Sequence, residues 1–345
     1  MSTVSGSSSV LLALTTDDVR RRLADGVRPE NLERLGFRAE DATDVAAAAA
    51  SAVGRDDDLA TITAMAARIG GRLGRLETAN DGGGEVWVGL PSAPPGGNAG
   101  ELCVLALVAT APDVAAFHAG RGIPADVSWA TLSDLGQQVW VNRLTQGAFG
   151  LRTEWWLSLV WSGALYRLGR LQFDLEPAQD DPDAWVLNTH IPRGGSLVPA
   201  LVDDALAQAA AFFPAHFPDH PVREVVCHSW MLDPALGVDL PGSNLASFQQ
   251  RWDPYGPVAP GDGDVLFFVF LEPGPVDVAT LPTDTRLRRA AVARMTSGRP
   301  WSVVSGRLRG AAAARAAPSA RPEEVGLEPV GVPAVLGETE QDGPA

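Results

Sequence analysis

The apolar positions of the chain change their period near its middle. From Thr16 to about Leu144 hydrophobic residues recur at three- and four-residue spacing, the pattern of helices with one buried face. DDVRRRLA reads as the first helix, with Thr16 as its cap, Asp17 and Asp18 in the first turn where the dipole favours acids, and Gly26 and Pro29 ending it. DATDVAAAAASAV predicts a second, and DDLATITAMAARIGGRLGRL a third with Ile62, Met65 and Ile69 as its stripe. NDGGG and PSAPPGGNAG, between Ala79 and Gly100, predict a loop-rich connection. LCVLALVATA and PDVAAFHAG are expected to be helical, and Ser128 to cap a helix reaching Leu144.

At Trp155 the pattern shifts toward alternation. WWLSLVWSGALYRLGRLQFDLE is aromatic and alternates around Tyr166, Leu168, Leu171 and Phe173, which predicts strands, and the segment from Arg170 to Leu175 is expected to form an antiparallel hairpin with the strand that begins at Ala184. From Ala184 to Trp252 the chain reads strand (AWVLNTHIP), glycine turn (RGGS), helix (LVPALVDDALAQAAAFF), strand (REVVCHSWML) and helix (GSNLASFQQRW). After it come a turn-rich DPYGPVAPGDGD, a strand DVLFFVFL, a helix from Thr285 to Thr296 and a last strand in RPWSVVSGRL. The expected fold class is α+β: a mobile start over 1–12, a helical domain over 13–150, a mixed sheet flanked by helices over 151–308, and a disordered Ala-, Pro- and Glu-rich tail over 309–345.

Composition narrows the chemistry. A net charge of −15 over 345 residues argues against general nucleic-acid binding, which needs a cationic face. All 27 basic residues are arginine, so a lysine Schiff base and a P-loop are both excluded. Cys103 and Cys227 lie far apart in apolar contexts and fit reduced thiols. No apolar run is read as a membrane span and the N-terminal segment lacks a charged region before its short apolar patch, so a cytoplasmic protein without a membrane partner is expected. His118, His216 and His220 lack metal-ligand spacing, and no metal is expected.

A strand that enters a Gly-Gly turn and leaves as a helix presents free N–H groups and a positive dipole end, a place to hold phosphate. Gly194 and Gly195 permit close backbone approach, the helix beginning near Leu197 points its N-terminus there, and Arg193 can add a charged contact. Both strands of this unit carry polar residues where aliphatic runs are usual. Asn188 and His190 share a face of the first, Cys227 and Ser229 one face of the second, and His228 and Trp230 the other. His190 fits a general base by its ordinary pKa, or else ties down the turn. For His228 a packed, structural role is the favoured reading, and for Cys227 that of a small buried hydrophobe. Asn244 is read as a cap or first-turn residue.

The runs ALYRLGRLQFDL, HIP before a glycine turn, AFFPAHFP, CHSWMLDP and SNLASFQQRW resemble the acyltransferase-domain proteins of the GNAT (N-acetyltransferase-like) superfamily, which join a helical N-terminal region to a GNAT-like C-terminal domain. The resemblance spans roughly Leu14 to Leu308. It implies two parallel strands that splay apart around an acyl-CoA thioester, here Trp185 to Ile191 and Val225 to Met231. The turn of Arg193, Gly194, Gly195 and Ser196 would hold the pyrophosphate, with N–H groups around Ile191 as oxyanion donors and Asn244 near the pantetheine arm. Two departures stand out: Arg193 is followed directly by Gly-Gly, which alters the usual turn, and Ser243 to Trp252 offers Phe248 where many relatives have a tyrosine that protonates the thiolate. Either His228, Ser229 or Tyr255 is the donor instead, or no acid is needed because a thiolate leaves adequately by itself. The expected function is transfer of a short acyl group, acetyl first of all, from its CoA thioester to an amine of a small molecule, by direct attack in a ternary complex. Two other readings stay open: a non-catalytic ligand-binding protein on this fold, and a hydrolase using Cys227 or Ser229 with a histidine.

Overall fold

The computed structural model describes residues 14–81, 84–87, 100–178 and 181–310; the expected mobile start and the expected tail past Gly310 lie outside them. The helical half is built around Glu101–Gly120, which is buried continuously from Cys103 to Ala111 and is packed by Thr16–Gly26, Ala39–Val53 and Asp56–Arg72. This helix is long and apolar enough to cross a membrane by length and composition, contrary to the sequence reading, but here it is the core helix of the domain. The first helix is capped by Thr15, not Thr16, whose side chain accepts from the Asp18 N–H while Asp18 reaches back to the Thr15 N–H. Pro29 does not end a helix. It opens a short one, Pro29–Arg34, where its missing N–H is no loss.

The helix expected to run from Ser128 is two, Ala125–Leu132 and Asp134–Gln146, and Ser128 lies inside the first with its hydroxyl hydrogen-bonded to His118 Nδ1 at 2.8 Å. The larger correction is at Trp155: Glu154–Trp161 is a helix, and the sheet begins only at Leu165.

The strands are β1 (Leu165–Leu168), β2 (Leu171–Ala178), β3 (Asp181–His190), β4 (Val222–Ser229), β5 (Trp252–Pro260) and β6 (Ser302–Leu308), in the order β1-β2-β3-β4-β6-β5. Among the described strands only β3 and β4 run parallel, joined by the helix Pro199–His216, while β2 and β3 form the expected antiparallel hairpin. The stretch read as turns after Trp252 is the edge strand β5, where prolines do no harm because one side has no partner. The stretch read as strand DVLFFVFL is helical, Asp262–Val265 continuing as the wider π-type turn Leu266–Phe270.

One face of the sheet is apolar. Phe173, Leu175, Leu187, Cys227 and Val304 are buried there in a core that continues into the helical half. By strand alternation and register the opposite face carries Gln172, Asp174 and Glu176 of β2, Asn188 and His190 of β3, His228 of β4 and Ser305 of β6. This polar face, roofed at one end by the helical half, carries the candidate site.

Candidate active site

β3 and β4 pair from Trp185 with Val222 as far as Asn188 with Val226, and no further. Beyond that point β4 turns to β6, pairing Val226 to Ser229 with Arg307 to Val304, so the two parallel strands part at their C-terminal ends. His190 is the last residue of β3, at the edge of this opening.

Its ring is fixed from two sides. Nε2 donates to Asp174 Oδ1 at 2.5 Å, since a carboxylate can only accept, which leaves Nδ1 as the basic nitrogen, with no partner among the described residues. Trp156 sets its ring against the imidazole edge-on, with centroids 4.8 Å apart, and is itself held by its Nε1–H donating to buried Asp134 at 2.5 Å. Asp174 is completely buried, whereas the His190 side chain keeps 25% of its surface exposed, so the carboxylate is hidden and the imidazole is reachable. Asp174 Oδ2 and, on the facing residue of β3, Asn188 Oδ1 are buried and have no donor among the described residues.

Two residues further along β2, Glu176 accepts from Asn80 Nδ2 at 2.6 Å, a contact between the two halves of the chain. Burial first, and the Asp174 charge beside it second, push Glu176 up to about 7 against the opposing effects of the Asn80 hydrogen bond and His190.

His228 is not packed against a layer as expected. It stands exposed on the polar face, with Nδ1 2.6 Å from Ser305 Oγ, and partial burial and then the His190 charge hold its pKa below the usual value. Its T-shaped neighbour is Tyr255, 6.2 Å away between centroids. Ser229 is spent locally, its hydroxyl accepting from the Met231 N–H. Cys227 is wholly buried on the apolar face, where burial pushes its thiol far up. The structure therefore brings His190 and His228 to one face and puts Cys227 and Ser229 on the other.

The turn after β3 is shaped for an anion. Gly194 and Gly195 have φ of 92° and 74°, a region that only glycine enters freely, and both are exposed. Arg170, from the β1–β2 turn, donates to the carbonyls of Pro192, Gly195 and Ser196 at 3.0, 2.9 and 3.1 Å. With its carbonyls held from behind, the turn leaves the N–H groups of residues 193–196 without an acceptor among the described residues. The helix beyond begins at Pro199 rather than Leu197, with no side-chain cap. Ser196 Oγ accepts from Asn244 Nδ2 at 2.8 Å, and Asn244 is the first residue of its helix behind the cap Ser243. Ile191 follows His190 directly, half-buried at the lip of the opening. Arg193 donates to the carbonyl of Phe268 at 3.0 Å.

Asp174, Glu176, Arg170 and Asn80 were not singled out from the sequence. A signal exists for two of them: Gln172, Asp174 and Glu176 alternate with Phe173 and Leu175, the period-two mark of a strand with one polar face.

Comparison with known families and structures agrees with this architecture. Residues 28–163 match the N-acyltransferase N-terminal domain and residues 165–308 the GNAT-like C-terminal domain. Similar solved structures include an acyltransferase in complex with decanoyl-CoA, 30% identical with a TM-score of 0.68, the match covering 86% of this chain and 99% of that one. An acyltransferase complex with decanoyl-CoA and teicoplanin has the same identity and coverage at a TM-score of 0.67. An acyltransferase mutant with a tryptophan changed to alanine, bound to octanoyl-CoA, matches at 30% identity and a TM-score of 0.68, again over 86% and 99% of the two chains. No curated protein matches the chain. The paired domains, the splayed strands and the likeness over nearly the whole length of these structures place the chain in the GNAT-type N-acyltransferases, as an acyl-CoA-dependent acyltransferase.

Proposed function

We propose that this enzyme moves a fatty acyl chain of medium length from CoA to an amine of a small molecule, with His190 as general base. The observation that carries the reading is the His190–Asp174 pair at the point where β3 and β4 separate. Acyl-CoA lies in that opening with its pyrophosphate on the turn 193–196, where Gly194, Gly195 and Ser196 offer N–H groups and Asn244 steadies Ser196. The acceptor amine comes in over the polar face. Its nitrogen passes a proton to His190 Nδ1 and attacks the thioester carbonyl, forming the C–N bond. N–H groups around Ile191 stabilise the oxyanion, and its collapse breaks the C–S bond. The proton held by His190 then goes to the departing thiolate, directly or through His228, so that amide and free CoA leave in balance. Asp174 keeps the imidazole in the tautomer this needs.

The acyl length rests on the similar structures, which hold octanoyl- and decanoyl-CoA and so favour a longer chain over the acetyl group expected from the sequence. The teicoplanin complex supports a small-molecule acceptor. The unpaired buried acceptors Asp174 Oδ2 and Asn188 Oδ1 support a ligand bearing N–H groups. Supply of acyl-CoA favours a cytoplasmic location.

The test is CoA release from decanoyl-, octanoyl- and acetyl-CoA with a panel of amines that includes teicoplanin-type acceptors. His190→Ala is expected to lower kcat by about 10²–10⁴ with little change in acyl-CoA affinity, and Asp174→Asn by roughly tenfold or more. Full activity in His190→Ala, or a covalent acyl-enzyme seen by mass spectrometry, would overturn the direct-attack mechanism.

A further inference from the structure

With 42 acidic residues against 27 arginines, an arginine in this chain has carboxylates within easy reach. Arg143 shows the usual outcome, bound to Glu40, Asp41 and Asp44 together. Arg193 departs from it. Half-buried beside the glycine turn, it meets the carbonyl of Phe268 and no carboxylate among the described residues.

The charge nearest to it in effect is a second cation. Arg288, from the helix Arg286–Thr296, donates through Nη2 to the carbonyl of Val269 at 3.4 Å, the next carbonyl along from the one that Arg193 holds. The two guanidinium groups thus converge on consecutive carbonyls at the end of Leu266–Phe270. Burial first, and the Arg288 charge second, hold Arg193 below the ordinary arginine range. Asp284 balances Arg288 from the outer side, with half of its own side chain in solvent, and leaves Arg193 without a counter-charge. A carbonyl dipole is a partial partner for a guanidinium, and two such groups side by side make a fork suited to a doubly charged phosphate.

We propose that Arg193 and Arg288 form a phosphomonoester subsite that takes the 3′-phosphate of CoA, separate from the backbone turn that takes the pyrophosphate. CoA carries phosphate at two places, a diester-like pyrophosphate and a terminal monoester on the ribose. The N–H groups of the turn suit the first, and the arginine fork, which leans away from the turn toward Phe268 and Val269, suits the second. Engagement of the monoester draws Arg193 off the Phe268 carbonyl or shares it between the two. The proposal rests on the reading of residues 193–196 as the CoA turn, and the test separates the two.

Titration calorimetry compares decanoyl-CoA with decanoyl-3′-dephospho-CoA on the full-length protein, its Arg193→Gln and Arg288→Gln variants, and a turn variant, Gly195→Val. The wild type is expected to bind decanoyl-CoA at least about tenfold more tightly than the dephospho form. Each arginine variant loses most of that preference while keeping its affinity for the dephospho ligand. The turn variant weakens both ligands alike and keeps the preference. Equal binding of the two ligands by the wild type, or a preference that survives both arginine substitutions, overturns the subsite while leaving the turn in place. A turn variant that binds both ligands as well as the wild type overturns the turn reading, and this proposal with it.

Discussion

Glu176 titrates in the wrong place for a surface carboxyl. Raised from 4.5 to about 7 by burial and the neighbouring Asp174, it keeps its proton in the folded chain at pH values where the unfolded chain has already released it. Between those values the folded state binds more protons, so its contribution to stability is full below about 4.5 and is lost as pH rises through about 7. His118 works with the opposite sign. Burial lowers it from 6.5 to about 4, the folded state resists a proton that the unfolded state accepts, and stability is lost as pH falls from 6.5 toward 4. Because the slopes oppose each other, the clean measurement is a difference between proteins. Glu176→Gln still accepts from Asn80 but does not titrate, so its Tm relative to wild type should climb steadily from pH 4.5 to 7. A difference that stays constant across that window would mean that Glu176 ionises as an ordinary carboxyl. A His118→Gln variant should leave that climb unaltered, because His118 lies in the helical core and not on the polar face.

Elements reach the site through close approach as well as through hydrogen bonds. The helix Asp134–Gln146 docks on the turn at Leu35–Phe37, where the Gly136 N–H donates to the Leu35 carbonyl at 2.9 Å. A Cβ at Gly136 would lie 2.1 Å from the Gly36 carbonyl carbon and 2.3 Å from the Phe37 nitrogen, both backbone atoms that cannot swing aside. Gly136→Ala must therefore lift the helix, at about 1–3 kcal/mol, and with it Asp134, two residues away, which holds Trp156 against His190. The expected result is a Tm lower by several degrees together with a fall in kcat that exceeds any change in acyl-CoA affinity. Loss of stability at unchanged kcat would show that Asp134 does not govern His190. The elements misread from sequence share a cause. EWWLSLVW is buried over most of its circumference, so its apolar run carries no period that separates a short helix from a strand. LFFVF has strand-forming side chains but continues a helix started at Asp262, and it ends at Leu271 with φ of 63°. Trp252–Pro260 carries the Pro and Gly residues of a turn and is a strand only because β6 supplies a partner on one side.

The glycine turn and His190 were legible in the sequence because their signals are local: two adjacent glycines between strand and helix, and a histidine on a parallel strand. The residues that hold them in place were not, because each acts across a distance along the chain that only the fold closes. Asp174 stands 16 positions from His190, Arg170 stands 26 from Ser196, and Asn80 stands 96 from Glu176. The same long-range wiring bears on whether the two halves are independent. One apolar core runs from Val19 in the first helix to Val304 in the last strand. Tyr166 of β1 sits between His118 of the helical half and Phe212, Phe213 and Phe217 of the sheet half. A boundary near residue 164 separates the two matched families, but it cuts through this core rather than around it. Thermal unfolding should accordingly give a single cooperative transition, with near-ultraviolet and far-ultraviolet signals superimposing. A chain beginning at Gly163 should expose the faces of β1 and Pro199–His216 that Glu101–Gly120 and its neighbours cover, and fail to fold alone. Two resolved transitions, or a soluble and cooperatively folding C-terminal half, would show that the helical half is a separable roof rather than part of the body that holds His190.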